Sequence, residues 1–136
     1  MKKFSIIIVE NDEDEQFFMK EGFEASGLFD ILAQVTNGDH LLEWLHTNPG
    51  VKPDVILSDL NMPGKNGFDI LDAMKANRDW NNIPVIITST SSTRSIMDKC
   101  YAKGAEEYLV KPEIFIEYEP FVKNLYQLIE EKKLAT

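Results

Sequence analysis

Apolar and polar positions follow two alternating rhythms along this chain. Phe4 to Val9 is a short apolar-rich run, β-branched from Ile6 to Val9, which predicts a buried strand. A helix is predicted over about 14–26, with Phe18, Met19, Gly22 and Phe23 forming one inward stripe and Gly27 ending it. Ile31 to Val35 reads as a second strand. Asn37-Gly38 then turns the chain, Leu41, Leu42 and Leu45 mark a short helix, and Asn48-Pro49-Gly50 stops it. A third strand runs Val55-Ile56-Leu57-Ser58-Asp59, and a helix follows from near Gly67 with Ile70, Leu71 and Met74 inward. After a polar connection over 77–82, Pro84 opens a fourth strand, Val85 to Thr88. Ser91, Ser92 or Thr93 can cap the next helix, whose stripe is Ile96, Met97 and Cys100, with Gly104 at its end. Glu107 to Val110 is a fifth strand. The last helix carries Pro120 in its first turn, with Phe121, Leu125, Leu128 and Ile129 inward.

Five strand–helix units in succession call for an α/β fold: a (βα)5, doubly wound parallel sheet covered on both faces. The C-terminal ends of strands one, three, four and five then share one rim, where open α/β sheets bind ligands. That rim carries Glu10, Asn11 and Asp12, then Asp59, then Thr88, Ser89 and Thr90, then Lys111. Asp59 by itself reads equally as a turn former, because Asn61, Met62, Pro63 and Gly64 follow at once. The convergence of acids, hydroxyls and one lysine is harder to assign to separate turns.

Length and charge narrow the functional classes. The chain has 136 residues, enough for one domain with one core, and we expect one domain without a separate output module. A net charge of -9 and a pI near 4.7 argue against a nucleic-acid surface. The compact basic pairs, Lys2-Lys3 and Lys132-Lys133, sit near the ends. The single cysteine, Cys100, allows no internal disulfide and suits a reducing compartment. The first apolar run is too short for a signal or a membrane span. A soluble, cytoplasmic protein is the expectation.

The rim lacks histidine: His40 and His46 fall on the second predicted helix, so no hydrolase triad is indicated. Oxygen donors in an acidic pocket suit Mg²⁺. A carboxylate can also be a nucleophile that forms an aspartyl-phosphate. Joining a carboxylate to a phosphoryl group sets anion against anion, so positive charge must be supplied, and a metal with a lysine supplies it.

Taken in order, four landmarks carry a resemblance. They are Val9-Glu10-Asn11-Asp12, then Ser58-Asp59-Leu60-Asn61-Met62-Pro63-Gly64 with Gly67, then Ile83-Pro84-Val85 leading to Ser89, then Gly104-Ala105 with Tyr108 and Lys111-Pro112. Across essentially the whole chain they resemble the receiver domain of bacterial two-component response regulators, closest in flavour to the small stand-alone receivers associated with phytochromes. The resemblance implies a flavodoxin-like sheet of order 2-1-3-4-5. It implies Asp59 as phosphoacceptor, Ser89 and Lys111 as binders of the phosphoryl group, and Tyr108 as the aromatic that turns inward in the switch. It implies Mg²⁺ held by Glu10, Asn11, Asp59 and the backbone carbonyl of Asn61, and a cis peptide at Lys111-Pro112. The partners it implies are a sensor histidine kinase or phosphotransfer protein, a downstream protein bound through the fourth helix, fifth strand and last helix, and a second copy joined through the last helices.

One departure matters. The family has two acids after strand one, and here they align with Glu10 and Asn11, so the second brings no charge. Asp12 is placed to substitute through a water. A receiver-shaped adaptor that is never phosphorylated is the alternative this permits. A phosphatase of the haloacid dehalogenase type needs an acid where Asn61 stands. A flavodoxin-like nucleotide binder needs a Gly-, Ser- or Thr-rich first loop, and the acids over 10–15 would instead repel phosphate.

Overall fold

The computed structural model describes residues 2–132 and 134; Met1, Lys133, Ala135 and Thr136 lie outside it, and with them one member of the second basic pair. Among the described residues, five parallel strands form one sheet in the order β2-β1-β3-β4-β5. The strands are β1 (Phe4–Val9), β2 (Phe29–Val35), β3 (Val55–Asp59), β4 (Val85–Ser89) and β5 (Glu107–Val110). The helices are α1 (Glu13–Ser26), α2 (Gly38–Thr47), α3 (Gly67–Ala76), α4 (Arg94–Ala102) and α5 (Tyr118–Lys132), the last preceded by a 3-10 turn at Phe115–Glu117. No helix among the described residues is long and apolar enough to cross a membrane.

The central strands are buried on both faces, which is why their sequences run apolar without alternating. Successive side chains still divide between two layers. Ile7, Val9, Ile56 and Ile87 pack with α2, α3 and α4 through Leu41, Leu45, Ile70, Leu71, Met74 and Cys100. Ile6, Ile8, Leu57 and Ile86 pack with α1 and α5 through Met19, Phe23, Val122, Leu125 and Ile129. Each such side chain, fully buried, contributes about 1.5–3 kcal/mol.

Local signals set the helix ends. The Asp12 side chain accepts the Glu15 N–H at 3.0 Å and caps α1, whose first turn is acidic in keeping with the helix dipole. Gly27 ends α1 in the left-handed region at φ 68°, where a Cβ is penalised. Asn37 caps α2, and Asn66 with Asp69 makes a reciprocal capping box on α3. Thr93 occupies the cap position of α4 without a side-chain cap bond. Ser91 Oγ accepts the Thr93 N–H instead, at 3.2 Å.

Two elements depart from the sequence reading. β2 begins at Phe29 rather than Ile31, because Phe29 pairs in register with Phe4 and packs edge-on against Phe23 and Tyr126. The buried stripe of α5 is Tyr118, Val122, Leu125, Tyr126 and Ile129, while Phe121 and Leu128 are half-buried. The two tyrosines bury their rings and keep polar tips bonded, a possibility that apolar periodicity does not register.

Candidate functional site

The period of two along a strand selects the site. Ile8, Leu57 and Leu109 point into the α1/α5 layer. Glu10, Asp59 and Lys111 each come two positions later, so all three side chains emerge past the strand tips on that same side. They meet there. Lys111 Nζ lies 2.7 Å from Glu10 Oε1 and 3.2 Å from Asp59 Oδ1, and one ammonium bridges two carboxylates. Relative exposures are 1% for Glu10, 7% for Asp59 and 9% for Lys111, so the cluster is largely withdrawn from water.

Burial decides the protonation behaviour. Desolvation raises the pKa of Asp59 above the ordinary carboxylate value, against the opposing pull of Lys111 and of the Asn61 and Leu60 backbone N–H groups. Glu10 is raised for the same first reason, although Lys111 and the Asp12 N–H oppose it. For Lys111 desolvation pulls downward, but the bond to Glu10 and the charges of Glu10 and Asp59 outweigh it and the net shift is upward. Two acids to one ammonium leave the cluster an excess of negative charge.

Ser89 and Tyr108 form a second group on the other side of the sheet. Ser89, fully buried at the tip of β4, accepts the Ser91 N–H on its Oγ at 3.1 Å. Tyr108, buried among the α2/α3/α4 layer, donates its hydroxyl to the Ser91 carbonyl at 2.7 Å. Ser91 therefore links the two residues, a role that a reading of Ser91 as a helix cap did not find. The Lys111 N–H bonds the Ser89 carbonyl at 2.9 Å and closes the connection between the two groups.

The remaining predicted ligands line the mouth. Asn11 and Asn61 are exposed. Asp12 is also exposed, and one of its carboxylate oxygens is used as the α1 cap. Gln16 braces the first loop by donating Nε2 to the Glu10 carbonyl at 2.6 Å and to that of Val35 at 3.3 Å. Glu13 and Asp14 are exposed, as a solvated helix start should be, but Glu15 is half-buried and accepts a hydrogen bond from the Tyr118 hydroxyl. That contact spans 103 residues of sequence, and no local pattern announces it. The expected cis bond at Lys111-Pro112 is not found, since no peptide bond among the described residues is cis. Trans is the lower-energy form of an X–Pro bond by about 0.5–1 kcal/mol, and it already delivers Nζ to both carboxylates.

The donor set fits a hard divalent cation. Among the described residues no group of three or more His, Cys, Asp and Glu side chains is gathered for a metal. The protein would bring the carboxylates of Glu10 and Asp59 and neutral oxygens from Asn11 and Asn61, and water would complete the shell, which suits Mg²⁺. The excess negative charge favours such an ion.

Carboxylates at the strand tips of a 2-1-3-4-5 sheet, bridged by a lysine from the β5 tip, define a class of signalling domain. The model of the response regulator receiver domain matches residues 6–117, and the chain belongs to that family. It is 31% identical over 103 residues to the two-component response regulator ARR7 of Arabidopsis thaliana, covering 70% of this chain and 48% of that protein. It is 25% identical over 125 residues to the probable methanogenesis regulatory protein FilR2 of Methanothrix harundinacea (strain 6Ac), covering 90% and 81%. The chain thus spans about half the length of ARR7, and 27% of the related ARR3. Among solved structures, the phosphorylated cyanobacterial phytochrome response regulator RcpA shares the fold with a TM-score of 0.82 at 24% identity over 93% of both chains. The Mn²⁺-bound form of response regulator Rcp1 gives 0.74 at 25% identity, covering 98% of this chain and 96% of that one. Receiver domains in general accept phosphoryl groups, bind Mg²⁺ or Mn²⁺ in the acidic pocket and work with histidine kinases or phosphotransfer proteins.

Proposed function

We propose that this chain is a phosphorylation switch in which Asp59 accepts a phosphoryl group in the presence of Mg²⁺. The observation that carries the reading is the buried bridge of Lys111 to Glu10 and Asp59. An Asp59 oxygen attacks phosphorus, the bond from phosphorus to the donor's nitrogen or oxygen breaks, and the leaving group keeps the electron pair. Glu10, Asp59 and the Asn61 carbonyl, with Asn11 at the mouth, would hold the cation, which neutralises phosphoryl oxygens when bound. Lys111 supplies the second positive charge without delivery from solution, and its ammonium turns from the Asp59 carboxylate to the new oxyanion. The Ser89 hydroxyl offers a hydrogen bond to a phosphoryl oxygen.

Ser89, Ser91 and Tyr108 then carry the change to the surface of α4, β5 and α5. Movement of the Ser89 hydroxyl alters the loop whose carbonyl holds Tyr108, a local charge event that biases a two-state element. Val110, Ile114 and Ile116 are exposed on and after β5, apolar surface of the kind partners cover. The upstream partner is a sensor histidine kinase or phosphotransfer protein and the downstream partner is a protein; self-association through the last helices is a further consequence. Incubation with labelled acetyl phosphate and Mg²⁺ tests the reading: the wild-type chain takes up label and Asp59→Asn does not. Absence of label on the wild type with Mg²⁺ present selects the unphosphorylated adaptor, the reading that the uncharged Asn11 favours.

A further inference from the structure

None of the site residues described above comes from β2, yet β2 anchors the loop that begins the site. The carbonyl of its last residue, Val35, accepts the Glu10 N–H at 3.0 Å and Gln16 Nε2 at 3.3 Å. Gln34, also on β2, donates its Nε2 to the Gln16 carbonyl at 2.9 Å. The strand thus fastens both ends of the first loop: the tip of β1 before it and the first turn of α1 after it.

Gln16 ties the two ends to each other. Its Nε2 carries two N–H groups, and the second acceptor is the Glu10 carbonyl, at 2.6 Å. Every polar atom of Glu10 then has a partner. Its N–H is on Val35, its carbonyl is on Gln16, its Oε1 is 2.7 Å from Lys111 Nζ, and its Oε2 accepts the Asp12 N–H at 3.2 Å. The Glu10 carbonyl belongs to the planar peptide that leads into Asn11, so the bond from Gln16 fixes that plane. Asn11 itself is exposed, and the peptide before it, rather than packing, sets where it stands.

We propose that Gln16 is a positioning residue for the cation site: its amide, held against the tip of β2, sets where Asn11 presents its oxygen to a divalent ion. Mg²⁺ demands near-ideal octahedral geometry. A neutral amide has no charge with which to draw the ion across a misfit, so its contribution depends on being held in place. Hydrogen-bond partners behind metal ligands alter affinity by about 10–100-fold. The proposal rests on the reading given above in which Glu10, Asn11, Asp59 and Asn61 hold the ion.

The experiment uses the full chain in four forms: wild type, Gln16→Met, Asn11→Ala and the double variant, each titrated with Mg²⁺ by calorimetry. Gln16→Met keeps the length of the side chain and removes both donors. It is expected to bind Mg²⁺ about tenfold more weakly, the lower end of that range, because Gln16 acts through backbone. The double variant is expected to stay within about twofold of Gln16→Met alone, since Asn11 is then already out of place. A general weakening of the fold would instead leave the two losses additive, and additive losses overturn the proposal. Equal affinity in wild type and Gln16→Met also overturns it and leaves the metal reading standing. A wild type that binds no Mg²⁺ overturns the metal reading and the proposal with it. Where Gln16→Met does not fold, the wild type decides: the ¹H–¹⁵N signals of the Gln16 side-chain amide should shift as Mg²⁺ is added, and signals that stay in place while the ion binds overturn the proposal.

Discussion

β3 carries an aspartate just before it and another at its end, and the two live in opposite circumstances. Asp54 precedes the strand and answers Ser5: its Oδ2 accepts the Ser5 N–H at 2.8 Å, and the Asp54 N–H reaches Ser5 Oγ at 2.9 Å. One neutral donor, the Ser5 N–H, holds that carboxylate in a partly buried place. Asp59, five residues on, is more deeply buried and faces another acid across a shared lysine. One residue type at two ends of one strand is a structural latch in the first case and an under-neutralised charge in the second. A partly exposed carboxylate held by a backbone N–H has no need of a metal or a phosphoryl group. One that shares an ammonium with a second acid is poised to take on a cation.

The contrast breaks most completely at Lys111. Lys111→Met leaves Glu10 and Asp59 buried without a cation, and removal of one partner from a buried pair costs about 3–5 kcal/mol. Urea denaturation without divalent ions should show that loss, and a matching change in the Asp54 region has no mechanism by which to arise. Saturating Mg²⁺ should return part of the lost stability, because an ion that binds only the folded state stabilises it. A variant as stable as wild type would show that the ammonium does not carry the cluster.

A second way in is steric. Gly67 opens α3 directly behind the acceptor loop, and a Cβ there would come within 2.9 Å of Leu60 Cα and 3.1 Å of the Asp59 carbonyl oxygen. Backbone cannot give way as a flexible side chain can. Gly67→Ala should therefore lower stability by about 1–3 kcal/mol, as overpacking does. It should also slow labelling by displacing Asp59. A melting temperature and labelling rate equal to those of wild type would contradict this close approach.

How much of this was legible in the sequence follows from range. The strands and their tips were readable because apolar runs and turn residues are local, and once the topology is granted the parity of Glu10, Asp59 and Lys111 follows from the period of two. The Glu15–Tyr118 bond, the Gln16 brace and the Ser91 link were not readable. The first two depend on how helices settle on the sheet and the third on a loop meeting a neighbouring strand, and polar tips on buried side chains leave no periodic trace. The start of β2 was missed because Asp30 interrupts the apolar run while Phe29 is held by aromatic neighbours distant in sequence.

Asn11 sharpens the charge side of the comparison. Asn11→Asp adds a unit of negative charge at the mouth of the cluster, where it attracts a divalent ion by about 1–2 kcal/mol in a mostly aqueous setting. Titration calorimetry should therefore show Mg²⁺ bound about tenfold more tightly than by wild type. Equal affinities would mean that Asn11 takes no part in holding the ion.

The smallest effect belongs to Asp54→Asn, the same chemical change as Asp59→Asn made at the other end of the strand. The amide keeps an oxygen to accept the Ser5 N–H, so only the charge assistance is lost, under about 1 kcal/mol for a partly buried bond. Labelling by acetyl phosphate should be unchanged, since the substitution is separated from the rim by the length of β3 and touches none of its three charges. Asp59→Asn, with the same loss of one charge, is expected to abolish it. If Asp54→Asn also lost its label while remaining folded, the separation of a latch end from a reactive end would be wrong, and the chemistry would depend on the strand as a unit rather than on the cluster at its tip.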